Sequence, residues 1–125
     1  MQKLLAFGAL ALFFALLGCD PKGATNYADQ ADCTGVDANA NTYTNTIKTF
    51  LNSRCATAGC HNATTKEDDI DLSSYASAKE AFQTRDVLCA IHHGDGCEPM
   101  PKGSTQLEDA AIQLIDCWVK NGYQE

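Results

Sequence analysis

Cys55-Ala56-Thr57-Ala58-Gly59-Cys60-His61 follows directly on an amphipathic run, and the two thiols and the imidazole it carries decide how the whole chain is read. Tyr43, Ile47, Phe50 and Leu51 recur at intervals of three and four, which places them on one face of a helix that starts at about Asn41 and stops just before Cys55. The stretch is therefore presented at the end of a helix. Four residues separate the cysteines, so the connecting loop has to bulge, and Gly59 is the residue best able to take the backbone conformation a bulge needs.

Two cysteines, the second followed at once by histidine, is the order in which a polypeptide attaches haem covalently. The thiols bond the two vinyl groups on the porphyrin edge, and the adjoining imidazole reaches iron from the proximal face. Cys55 and Cys60 are the candidate anchors and His61 the candidate proximal ligand. The usual spacing has two intervening residues rather than four. A disulfide between the same cysteines, or a zinc site with His61 as a ligand, would use the same three side chains.

An iron held by histidine takes a second axial ligand, and for electron transfer a methionine thioether raises the potential. Apart from Met1, the chain has one methionine, Met100. It lies between Pro99 and Pro101, whose rings keep it out of a helix interior or a sheet centre and stiffen its backbone. Flanked further out by Glu98 and Lys102, it has no apolar stripe to join, so a stiff loop offering sulfur to iron is the expected role. His92 and His93, on a predicted helix before Gly94, are the alternative ligands; at a helix C-terminus they would equally suit solvent and the helix dipole.

A length of 125 residues supports one domain. Residues 1–18 read as a signal peptide, with Lys3 ahead of an apolar run from Leu4 to Leu17 that is short for a membrane span. Leu16-Leu17-Gly18-Cys19 looks like a bacterial lipobox, which would make Cys19 the lipidated N-terminus of an extracytoplasmic, membrane-anchored protein. Residues 19–40 are polar and lack a hydrophobic period, as suits a flexible tether, and residues 41–125 form the domain. Loss of Lys3 with the signal takes the formal charge from −7 to −8. So acidic a chain is a poor match for nucleic acid or for a polybasic grip on lipid, which leaves the lipid on Cys19 as the membrane contact.

Seven cysteines leave one unpaired, and lipidation of Cys19 accounts for it. Of the other six, Cys89 and Cys97 bracket the segment leading to Met100. A bridge there would close a nine-residue loop, worth about 2.5 kcal/mol in the chain-entropy account. Cys33 and Cys117 would then pair by elimination, for about 4.5 kcal/mol in the same account; the two other pairings of these four remain open on sequence alone.

The expected fold is all-α, with no convincing strand. Ile70 and Leu72 suggest a loop packed on the core, Tyr75, Ala78 and Phe82 a short helix, and Val87, Leu88 and Ile91 another that Gly94-Asp95-Gly96 ends. The last helix is the clearest: Thr105 and Glu108 read as a capping box, Leu107, Ala111, Leu114, Ile115 and Trp118 as one face, and Gly122 as the stop. Tyr43, Phe50, Tyr75, Phe82 and Trp118 are expected chiefly in the core. So small a helical domain buries a modest core, and a covalent haem at its centre would add apolar contact.

Ile47-x-x-Phe50-Leu51 ahead of Cys55 and Cys60-His61, then Ala90-Ile91-His92-His93, Met100-Pro101-Lys102-Gly103 and Trp118-Val119-x-x-Gly122, occur in an order that resembles small bacterial monohaem cytochrome c domains, over most of residues 41–122. The resemblance implies a cytochrome c-like bundle of short helices, thioether bonds at Cys55 and Cys60, and axial ligands at His61 and Met100. The pair Cys89 and Cys97 is not universal in such domains. The function expected is that of a monomeric electron carrier with one c-type haem, exchanging electrons with redox partners that present basic surfaces to its acidic one. No nucleophile and base stand in catalytic spacing, so no bond chemistry of its own is expected. Two other readings compete: a haem enzyme or gas- or peroxide-binding site with the sixth position open, and a disulfide- or zinc-stabilised structural lipoprotein.

Overall fold

The computed structural model describes residues 24–125, so the signal peptide at 1–18 and Cys19 lie outside the described residues. The described residues are all-α, with no strand among them. Thr42 opens the first long helical segment: its hydroxyl accepts from the Asn45 N–H at 3.3 Å, as an N-cap does. The segment starts one to two residues later than the sequence suggests, with a turn of π-helix at Tyr43–Ile47 that runs straight into a helix over Lys48–Arg54. Ile47 and Leu51, from the expected stripe, are almost fully buried. The helix ends where its last amides converge on one acceptor, Cys55 and Ala56 both donating to the Leu51 carbonyl.

Residues 24–40 differ from the expected tether. A helix over Ala24–Gln30 (α1, so that Lys48–Arg54 is α2) packs against the two later helices Val87–Ile91 (α4) and Asp109–Lys120 (α5). Ala28 is buried in that contact. The reason lies in Cys33, whose disulfide to Cys117 staples the segment to α5, and in Lys120, whose ammonium donates to the carbonyls of Asp29 and Ala31. Short polar residues satisfy the intervening backbone locally, with Asp32 and Asp37 carboxylates accepting from the Thr34 and Asn39 amides.

Ser74 caps the helix Tyr75–Thr84 (α3), which buries Ala78, Ala81 and Phe82, and α4 buries Val87, Leu88, Cys89 and Ile91. The capping box expected at the start of α5 does not form. The helix begins at Asp109 with Glu108 in extended conformation and no side-chain cap, and Leu107 instead packs on the core ahead of it. Its other end is as the sequence suggests: Gly122 has φ +83°, the Gly122 N–H donates to Val119 and the Tyr123 N–H to Trp118, the paired bonds of a Schellman stop. Trp118 is the centre of the core. It is fully buried, meets Phe82 edge-on at 5.5 Å and Tyr123 edge-on at 5.2 Å, and donates its indole N–H to the Gln124 carbonyl.

Among the described residues there are two disulfides, Cys89–Cys97 and Cys33–Cys117, the pairing favoured from sequence, and Cys55 and Cys60 are free thiols.

Candidate functional site

Cys55, Cys60, His61 and Met100 all line one half-open cavity of about 440 Å³. Each arrives by a different device. Cys55 is carried on the last turn of α2, and the bulge expected at Gly59 is there, with φ +82° and the Gly59 amide donating to the Thr65 hydroxyl. The His61 amide reaches back to the Cys55 carbonyl at 3.1 Å, closing the loop on itself. The following segment is tied to the same loop by the Glu67 amide on the Cys60 carbonyl and the Leu72 amide on the His61 carbonyl. Its turn holds Lys66, Asp68 and Asp69 at positive φ, and the Arg85 guanidinium accommodates it by donating to the Asp68 carbonyl at 2.7 Å.

The turn sets the state of His61. Nδ1 lies 3.0 Å from the carbonyl oxygen of Glu67, and because a carbonyl only accepts, the ring proton sits on Nδ1. Nε2 takes no part in that bond. A backbone carbonyl behind the far nitrogen is the arrangement that orients an iron- or zinc-binding imidazole. The acceptor is a main-chain atom, so no residue type in the sequence announces it.

The walls are apolar: Leu51 from α2, Phe82 from α3, Val87 and Ile91 from α4, Ile115 from α5, with Ile70, Leu72 and Leu107 from the loops. The volume falls within the range of roughly 300–1,000 Å³ usual for cofactor and ligand sites. Burial, then the neighbouring Cys60, push the Cys55 thiol up to about 11, with Arg54 pulling the other way. At neutral pH Cys55 is therefore a neutral thiol.

Met100 sits on an irregular loop, as its prolines require, with its amide donating to the Ala90 carbonyl at 2.9 Å. The two histidines that compete with it in sequence are engaged elsewhere and do not line the cavity. His92, the C-cap of α4, pairs through Nε2 with Asp116 Oδ2 at 2.9 Å and stacks on Tyr27 at 4.3 Å. His93 lies past the helix end at φ +52°, with Nε2 donating to the Met100 carbonyl. Of the five aromatic residues considered in sequence, Phe82 is both core and cavity wall, while Tyr43 and Trp118 are core. Asp116 went unnoticed, although an acid four residues after Ile112 and three before Val119 falls on the apolar stripe.

A haem fits the residues present better than zinc does. Among the described residues no three His, Cys, Asp or Glu side chains gather as a metal site, whereas a structural zinc takes four ligands around one point. Haem attachment needs something different: thiols at the rim, an imidazole with a free nitrogen, a thioether, and apolar walls, and these share the cavity. Compared with family profiles, with curated proteins and with solved structures, the chain matches none. Among the described residues no helix is long and apolar enough to cross a membrane.

Proposed function

We propose that the chain is an electron carrier with one c-type haem, exported and lipid-anchored through Cys19. The observation that carries the proposal is that Met100, distant in sequence, lines the same largely apolar cavity as the Cys55–His61 stretch with its two thiols and imidazole. Cys55 and Cys60 would anchor the group by thioethers to its two vinyl carbons. His61, its tautomer fixed by the Glu67 carbonyl, would ligate iron through Nε2, and Met100 would complete the coordination. Bound there, the haem supplies a reversible one-electron couple. The chain's part is to hold both ligands through the change of charge and to keep water from the iron with Leu51, Phe82, Ile91 and Ile115.

Engagement of His92 and His93 away from the cavity favours Met100 over a bis-histidine site. A methionine in place leaves no open position for peroxide or a gas, which favours a carrier over a haem enzyme. Glu67, Asp68, Asp69 and Asp71 form an acidic stretch that begins at the cavity lining, suited to a redox partner with a basic face. The test is a redox titration of exported protein followed by absorbance. A single reversible one-electron transition with the methionine–iron band lost on reduction is expected. An iron that binds peroxide or carbon monoxide without first losing a ligand would assign the protein to the enzyme class instead.

A further inference from the structure

Resting on the reading of Met100 as distal ligand, the most developed feature outside the cavity is the brace behind that residue. Both backbone polar groups of Met100 are tied to the end of α4: its N–H donates to Ala90 and its carbonyl accepts from His93 Nε2 at 3.1 Å. His93 holds this position at φ +52°, a conformation that a β-carbon makes unfavourable. The turn between them is closed by the Cys89–Cys97 disulfide, by the Gly94 amide on the Cys89 carbonyl and by the Cys97 amide on Gly94. The neighbouring His92 has a different partner and grips α5 through Asp116. Two adjacent imidazoles thus hold different partners at the same corner, one on the bundle and one on the ligand loop.

We propose that His93 is a positioning residue for Met100, holding the backbone of the ligand so that its thioether keeps the distal face of the iron against water and added bases. A thioether is a weak, uncharged ligand, and its competitiveness depends on how little loop freedom is lost when it binds. Gly94 and Gly96 give this turn backbone freedom, which the Cys89–Cys97 bridge limits up to Cys97 and the His93 contact limits at Met100 itself. The left-handed backbone at His93 is retained because the ring then reaches the Met100 carbonyl.

The test uses the full exported chain with its covalent haem and the variant His93→Gly. Glycine suits the left-handed backbone, so folding is preserved while the donor is removed. Two signals are read: the absorption band of sulfur bound to ferric iron, and titration with imidazole as a competing ligand. In His93→Gly the thermal midpoint stays within a few degrees, the band weakens, and imidazole displaces the thioether at about one tenth of the concentration the native protein needs, as loss of one hydrogen bond implies. An unchanged band and an unchanged imidazole affinity in the variant would overturn the proposal. A native protein that carries covalent haem but shows no sulfur–iron band would remove the Met100 assignment itself, and that failure is seen before any substitution is made.

Discussion

His61 and His92 show how one residue type takes opposite roles according to what stands behind the ring. Behind His61 is a main-chain carbonyl, so Nδ1 is spent as a donor while the residue lines the cavity. Behind His92 is the carboxylate of Asp116, buried in α5 with its second oxygen unpartnered, and the ring is locked into the bundle under Tyr27. Burial raises the Asp116 carboxyl above its ordinary range, and His92 only partly offsets this. A carboxyl raised on folding adds stability that is fully present below the unfolded value, near pH 3.9, and is lost as pH climbs through the folded one. The difference in unfolding free energy between the native chain and Asp116→Asn should therefore favour the native chain most in acid. It should shrink towards neutrality at up to about 1.4 kcal/mol per pH unit. Parallel pH profiles of urea midpoints check this, and a difference that grows with pH would show that the ion pair with His92 dominates over burial.

Helix ends decide where the site's parts stand, and they divide into those visible in the sequence and those hidden from it. The C-terminal stop of α5 was visible because only glycine is at ease at φ +83°, the position of Gly122. The start of the same helix was not. Thr105 and Glu108 have the spacing of a capping box, but Leu107 between them is drawn onto the core, which unwinds the segment and delays the helix to Asp109. Ser74, by contrast, does cap α3, accepting from the Ser77 amide. Ser74→Ala should cost about 1 kcal/mol of stability, while Thr105→Ala should change it by less than about 0.5 kcal/mol. Chemical denaturation of the two variants checks the pair, and a larger loss at Thr105 would restore the capping box. α1 was missed for a related reason: Ala24–Gln30 has no apolar period of its own and is held by partners distant in sequence, Cys117 and Lys120. Periodicity registers only what a segment buries by itself. Cys55, Cys60, His61 and Met100 stand out in sequence because each is a rare residue in a constrained setting, whereas the contacts of His61 with the Glu67 carbonyl and of Met100 with the His93 ring fall on main-chain oxygens that no residue type announces.

At the scale of the whole molecule, the described residues form five α-helices, a π-helical turn, a 3-10 turn at Glu67–Asp69 and two disulfides around a half-open cavity. Leu51, Phe82, Leu88 and Ile115 are almost fully buried, yet Leu51, Phe82 and Ile115 also line the cavity, so core and cavity share a wall. The disulfides hold the two parts of the fold least able to hold themselves, the N-terminal segment and the loop that carries Met100. Among the described residues Cys55 and Cys60 are the free thiols. All of this is explained together if a rigid apolar ring is bonded to those two sulfurs. The direct measurement is the intact mass and alkaline pyridine spectrum of the protein exported by cells equipped for covalent haem attachment, set beside Cys60→Ala. A native chain heavier by one haem, with the absorption of a thioether-linked porphyrin that changes or disappears in the variant, is the predicted result. A colourless native protein whose mass is that of the processed polypeptide alone would contradict it.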